Sequence, residues 1–155
     1  MPSPQIIAVL LFAAVVLAGL VYFAQRSARR ESERASARAA VDGRRTDYPI
    51  VYEWGPNLRT WGPSYRVVIH KDSFTSYIAG VSFAAPISSI WKVAKTDPEG
   101  IPHWRVLCHP HSPEPQGLEM FGGGESEVVA RVLAHKAEVD VEEPAWFGRR
   151  RQPER

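Results

Sequence analysis

Residues 125–140, ESEVVARVLAHKAEVD, are the segment that decides the fold of this chain. Apolar side chains recur along it at about 3.6 residues per turn, which predicts one amphipathic helix from Glu125 to Asp140. The first turn carries Glu125 and Glu127, where the helix dipole favours carboxylates. A helix of this kind cannot bury its apolar face alone, so it must pack on a sheet built by the rest of the chain. The residues of that face are Val128, Val129, Val132, Leu133 and Val139.

Upstream of the helix, from Tyr48 to Phe121, short β-rich runs alternate with turn signals. The turn KDS joins the second and third runs into a predicted hairpin, and the chain lacks the α/β alternation that builds a parallel sheet. The predicted fold class is therefore α+β, with antiparallel strands closed by a C-terminal helix. The predicted strands read YPIVYEW, YRVVIH, FTSYIA, VSFAAP, ISSIWKVAKT, IPHWRVLCH and LEMF.

This order of elements resembles the pleckstrin-homology-like superfold, in which a strongly bent sheet or barrel is closed by a final helix. The segments YRVVIHKDSFTSYIAG, APISSIWKV and FGGGESEVVARVL carry the resemblance, which covers about Tyr48 to Asp140. In particular, the chain is similar to the small bacterial PH-like domains that follow transmembrane helices. The resemblance implies a small antiparallel PH-like β-barrel or bent sheet in a membrane-associated binding module, and it brings no shared set of catalytic residues.

Further towards the N-terminus, Ile6 to Ala24 form an apolar run of nineteen residues without a charge. As an α-helix it would span roughly 28 Å, close to the hydrocarbon thickness of a bilayer. A cleaved signal peptide usually has a basic start and an apolar stretch of about 7–15 residues, whereas this run follows the uncharged leader MPSPQ. The sequence therefore favours a permanent transmembrane anchor, with a signal peptide and a buried core helix as the alternatives.

The flanks of this run predict its orientation. No basic side chain precedes it, and Lys and Arg near a span stay preferentially on the cytoplasmic side. We therefore expect a single-pass protein of the inner (cytoplasmic) membrane, with the N-terminus outside and the C-terminal domain cytoplasmic. The single cysteine, Cys108, agrees with a reducing compartment. Seven arginines follow the run before Asp47, namely Arg26, Arg29, Arg30, Arg34, Arg38, Arg44 and Arg45.

Four regions follow from these patterns: an anchor (1–24), a basic helical stalk or linker (25–47), a β-rich domain (48–141) and a flexible basic tail (142–155). The stalk contains QRSARRESERASARAA, whose composition favours helix. It has almost no large apolar residues. We therefore expect a solvated helical spacer that packs on nothing.

Basic residues near the anchor, and aromatic and basic residues in the tail, are the candidate lipid contacts. Each well-placed Lys or Arg beside an anionic leaflet contributes about 1 kcal/mol, and the anchor makes lipid a nearer anion than nucleic acid. The expected partners are the membrane, anionic lipid headgroups and a protein partner, with no nucleic acid. Trp61, in a turn between two Gly-Pro steps, is the candidate contact for a protein partner. The candidate lipid contacts are Arg26, Arg29, Arg30, Arg34, Trp146, Phe147, Arg149, Arg150 and Arg151.

The densest group of chemically versatile residues is His103, Cys108, His109 and His111, all of them possible zinc ligands. If the segment is a strand, His103 and His109 are about 20 Å apart, and Cys108 points to the opposite face. We expect ordinary strand and loop histidines, with no metal site and no cofactor. The segment FGGGES lacks the Lys-Ser/Thr pair of a phosphate-binding loop. No catalytic motif is recognisable, so we expect no enzyme activity.

The sequence as a whole indicates a membrane-anchored cytoplasmic binding module, which recruits a protein partner or contacts anionic lipid at the inner membrane face. An accessory subunit of a larger membrane complex is the alternative. An enzyme or metal-binding protein that uses the segment from His103 to His111 is a third interpretation.

Overall fold

The computed structural model describes residues 4–55, 63–96, 101–109 and 116–144. Within these ranges the chain folds as a long N-terminal helix, two sheets and a C-terminal helix, which confirms the predicted α+β class. The candidate interaction residue Trp61 and the tail residues from Trp146 to Arg151 lie outside the described ranges.

The first helix, α1, runs without a break from Pro4 to Gly43. Its N-terminal half contains a stretch long and apolar enough to cross a membrane, none of which is buried in the protein. Phe12 and Val15, for example, are 72% and 71% exposed. This exposure makes α1 a candidate membrane span, and a signal sequence or a core helix can have the same length and composition.

The first sheet is an antiparallel meander in the order β1-β2-β3-β4. The β3–β4 hairpin closes through Ala79 and Gly80, both with positive φ (49° and 82°), as a two-residue hairpin turn requires. Inward-facing side chains alternate with outward-facing ones along β2, where Tyr65, Val67 and Ile69 are buried. The strands are β1 (Ile50–Trp54), β2 (Tyr65–Ile69), β3 (Ser73–Ile78) and β4 (Val81–Pro86).

The second sheet has the order β7-β6-β5-β8. A short 3₁₀ helix, Ile87–Ser89, occupies the first part of the run predicted as one strand, so β5 begins only at Ile90. The two-residue strand β8 pairs parallel to β5, and the sequence patterns did not predict it. The strands are β5 (Ile90–Thr96), β6 (His103–Cys108), β7 (Gln116–Phe121) and β8 (Val141–Glu142).

The closing helix, α2, spans Glu125–Ala137, three residues shorter than predicted. It ends where Glu138 adopts a left-handed conformation (φ 57°) and Val139 N–H donates to the Ala134 carbonyl at 3.0 Å. This arrangement caps the last turn and releases Val139 from the helix. The predicted apolar face is buried as expected: Val128 is 2% exposed and Val129, Val132 and Leu133 are fully buried.

Helix α2 lies between α1 on one side and strands of both sheets on the other. Its apolar face meets a core whose largest fully buried side chains include Trp104, Phe74, Leu118 and Met120. Across the described residues the two sheets do not close into a barrel. Of the two predicted forms, a small barrel or a bent sheet, the closed barrel is therefore not observed; Pro86 and the 3₁₀ helix lie between β4 of the first sheet and β5 of the second.

Candidate functional site: the seam between the two helices

The C-terminal third of α1 packs against α2 along a strip of small residues. Ala35 and Ala39 are 5% and 3% exposed, and Gly43 is buried beside the His135 ring. Small side chains at this four-residue spacing let two helix backbones approach closely. The prediction that the stalk packs on nothing is therefore wrong from Ser32 onward, although its helical character is confirmed. We call the contact between residues 32–43 of α1 and α2 the helix seam.

Ion pairs and hydrogen bonds fix the N-terminal end of the helix seam. Glu127 is only 4% exposed, and its Oε1 accepts hydrogen bonds from Ser32 Oγ (2.7 Å) and Arg131 Nε (3.0 Å). Arg38 pairs with Glu125 across the two helices. A buried carboxylate is stable only when it is paired and hydrogen-bonded, so these partners account for an acidic residue inside the contact.

The C-terminal end of the helix seam is joined to the first sheet through Asp42. Its Oδ2 accepts a hydrogen bond from the Tyr52 hydroxyl at 2.7 Å and lies 3.6 Å from Arg38 Nε. Burial, together with the Asp42 carboxylate, raises the pKa of Tyr52 above its ordinary value. Nearby, Lys136 Nζ donates to the Tyr48 hydroxyl (2.6 Å) and, at 3.2 Å, to the carbonyl of Arg45. Helix α1 is therefore bound to both α2 and β1.

The sequence patterns missed the residues of the helix seam, although one signal was present. Ser32, Ala35, Ala39 and Gly43 recur at three- or four-residue spacing, as in small-residue contacts between helices. This strip has no large apolar side chains, which are the usual sequence signal of a packed helix face. Asp42 and Tyr52 lie ten residues apart, and only the fold brings them together.

The predicted lipid-contact arginines Arg26, Arg29, Arg30 and Arg34 are all exposed on α1, before or beside the start of the helix seam. Three of them, Arg26, Arg30 and Arg34, line one open depression along the helix together with Phe23. The other predicted lipid contacts, Trp146, Phe147, Arg149, Arg150 and Arg151, lie outside the described residues, as does Trp61.

The histidine and cysteine segment does not assemble into a ligand cluster within the described ranges. Cys108 is 3% exposed, and burial raises the pKa of its thiol despite a hydrogen bond with Ser89. A protonated thiol is a poor nucleophile.

The two described histidines of this segment stack on aromatic rings. His109 is exposed and stacks on Trp91. His103, at the opposite end of β6, stacks on Phe121 with ring centroids 4.2 Å apart. His111 lies outside the described residues.

Because His103 is partly buried, we expect the stability of the protein to depend measurably on pH. Burial lowers its pKa, although the nearby Glu119 carboxylate opposes the shift. Between pH ~6.5, the ordinary histidine pKa, and the lowered pKa of folded His103, the unfolded chain therefore binds a proton that the folded chain does not bind. This contribution to stability is fully present above that pH and is lost as the pH falls through the lowered folded pKa.

The expected result is measured by denaturant unfolding of the full-length protein in detergent between about pH 7 and pH 5. His103→Phe retains a ring beside Phe121 and should lose less stability than the wild type over this range. Equal slopes for His103→Phe and the wild type would contradict this account.

No protein-family model matches the chain, and no curated protein matches its sequence. The geometry of α1, the helix seam and the two sheets is therefore the basis for a functional proposal.

Proposed function

We propose that this protein is a single-pass, membrane-anchored binding module of the inner membrane. Its β-rich domain lies on the cytoplasmic side, where it holds a protein partner or contacts anionic lipid. The exposed apolar half of α1 supports a bilayer span, and the seven arginines that follow it support a cytoplasmic C-terminal domain. The meander of four strands, the second sheet and the closing helix support the resemblance to PH-like domains.

One observation carries the proposal: the apolar helix and the docked helix are the same unbroken helix, Pro4–Gly43. Ala24, the last residue of the apolar run, precedes Ser32 by eight residues, which corresponds to ~12 Å along a helix. Because residues 32–43 are packed on α2, the domain cannot swing freely on a linker. The anchor would then hold the domain at a fixed height and in a fixed orientation beside the membrane, as a binding module that serves partners at the surface requires.

Reporter fusions in a bacterial host test the proposed topology. A cytoplasmic fluorescent reporter fused after Arg155 should be active, and an alkaline phosphatase fused there should be inactive. Intact-mass measurement should find the N-terminal apolar run still attached. The matched control replaces Arg26, Arg29 and Arg30 by Gln and replaces Ser3 and Gln5 by Lys. This change weakens the charge asymmetry that sets orientation, so it should raise the phosphatase signal and lower the fluorescent signal relative to the wild type. An active phosphatase fusion to the wild-type chain, or a chain cleaved after Ala24, would refute the proposal.

A further inference from the structure

The contacts of the helix seam define which end of the domain is nearest the anchor. Ser32 contacts Glu127 near the start of α2, and Gly43 lies beside His135 near its end, so α1 and α2 run in the same direction. The start of α2 and the glycine loop before it are therefore on the anchor side. Glu31 of α1 lies beside this loop, since its Oε1 is 3.4 Å from the position that a Cβ on Gly124 would occupy.

The first sheet has the same polarity. Tyr48, just before β1, contacts Lys136 at the far end of the helix seam, whereas Tyr52 contacts Asp42 and Arg38 nearer the anchor. Strand β1 therefore runs back towards the anchor and ends there at Trp54. The antiparallel register brings the start of β2, the end of β3 and the start of β4 to the same end.

A hydrogen bond joins the two sheets at this end. Phe121 N–H donates to the Tyr65 hydroxyl at 3.3 Å, which links the end of β7 to the start of β2. Phe121 is also paired in register with His103 at the start of β6. One end of the domain therefore combines the β3–β4 turn, the segment before β6 and the end of β7, all on the side from which α1 enters.

Exposed apolar side chains are concentrated at this end. Val81 is 71% exposed, Tyr77 46%, Phe121 37% and Ile101 36%. We call these four residues the membrane-facing end. Beside them an open cleft of about 530 Å³ is lined by the stacked pair Trp54 and Tyr65. In the rest of the described chain beyond the apolar run, the large exposed apolar side chains are Val41 on α1, Val51 on the outer face of β1 and Trp91 at the start of β5.

Charge and height both favour a lipid surface as the occupant. Two carboxylates of the described residues beside this end are paired, Glu53 with Arg66 at 3.1 Å and Glu119 with Arg105 at 3.0 Å. The first contact of the helix seam lies ~12 Å along the helix beyond the apolar run, and the headgroup layer of one leaflet is roughly 5–8 Å thick. Side chains that extend ~4–7 Å from this first contact towards the anchor would reach the headgroup layer, and a tilt of ~20° would bring one edge closer.

We propose that the membrane-facing end rests on the headgroup layer of the bilayer that holds α1, with Val81, Tyr77, Phe121 and Ile101 in contact with lipid. This inference rests on the proposed membrane anchor. Aromatic and aliphatic side chains at this depth are typical of interfacial contact. The exposed arginines of α1 supply the attraction to anionic headgroups, and the membrane-facing end supplies an apolar contact. Away from Tyr77, the outer face of the first sheet then remains open to a protein partner.

The test uses the full-length protein in lipid nanodiscs, with a fluorophore on one introduced cysteine at a time. Buried Cys108 is retained, and labelling of the wild type gives the background. Val81→Cys and Ile101→Cys report on the proposed contact, and Val51→Cys and Trp91→Cys are matched controls at exposed apolar positions elsewhere. Lipids that carry a nitroxide on the headgroup should quench the first pair roughly twofold more than the second, because that layer is only ~5–8 Å thick. The difference should persist at high salt, where exposed charges are screened.

A label at Leu11→Cys separates the failure of this inference from the failure of the anchor. Quenching of Leu11 by acyl-chain nitroxides, with Val81 and Ile101 quenched no more than Val51 and Trp91, would overturn the lipid contact and retain the anchor. That result would leave the membrane-facing end available to a protein instead. An unquenched Leu11 would refute the anchor itself. Loss of the difference at high salt would also overturn the apolar contact.

Discussion

Leu133→Asp is expected to unfold the β-rich domain. Leu133 is fully buried in the face of α2 that packs on the sheets, and an unpaired carboxylate in such a site is highly unfavourable. The milder change Leu133→Ala removes the packing without adding charge and should lower the free energy of unfolding by about 2–5 kcal/mol. Both effects can be measured by denaturant unfolding of the full-length protein in detergent, followed by tryptophan fluorescence, since Trp104 is buried in the same core.

Val41→Asp is the matched control for this substitution. Val41 is also an aliphatic residue on a helix, but it is 68% exposed on α1, and a surface change of this kind usually alters stability by less than ~1 kcal/mol. If Leu133→Asp retained the wild-type unfolding midpoint, α2 would not be docked on the sheets. The architecture from which the functional proposal starts would then be wrong.

Ala39→Asp is expected to separate the two helices. Ala39 is 3% exposed inside the helix seam, where the described structure offers no room for a longer, charged side chain without displacement of α2. We expect a loss of on the order of 3–5 kcal/mol, the range for a buried charge without compensation. A second readout is limited digestion with trypsin, which should cut faster after Arg34 once this part of α1 is released from α2.

Ala40→Asp provides the control for Ala39→Asp, because it makes the same chemical change one residue away on the exposed side of α1. It carries the same helix-propensity cost of well under ~1 kcal/mol, so the difference between the two variants isolates the helix seam. Equal stability and equal digestion rates for both would mean that α1 is not packed on α2.

The elements whose signal is local were predictable from the sequence. The apolar face of α2 follows from residue spacing alone, and β2 and β3 follow from period-two alternation on both sides of the turn KDS. The structure confirms these strands and the helix, with α2 ending earlier because Glu138 adopts a left-handed conformation. The 3₁₀ helix at Ile87–Ser89 was missed because its isoleucine and serines also suit a strand.

The candidate site was less predictable, because it depends on contacts between distant residues. Ser32 meets Glu127 across ninety-five positions of sequence, and no local pattern specifies that pairing. Alanine gives a weak signal of burial because it is common on exposed helices too. Ala35 and Ala39 were therefore assigned to solvent, and the stalk was interpreted as a spacer. The docking of α1 changes the proposal from a tethered domain to one held at a defined height.

The proposed fixed height and orientation would make the apolar residues of the membrane-facing end relevant to function. On a flexible linker, exposed Val81 or Phe121 would have no preferred direction. With residues 32–43 packed on α2, both residues belong to the end from which the anchor enters. The proposed lipid contact therefore depends on the helix seam as well as on the anchor.

Amide hydrogen exchange of the full-length protein in nanodiscs tests the helix seam most directly. In a docked helix the amides of residues 32–43 open only when α1 separates from α2, so they should exchange about as slowly as those of α2. Ala39→Asp should accelerate exchange in this stretch, and Ala40→Asp should not. Fast exchange across residues 32–43, beside a protected α2, is the behaviour of a solvated spacer helix and would contradict the docked anchor.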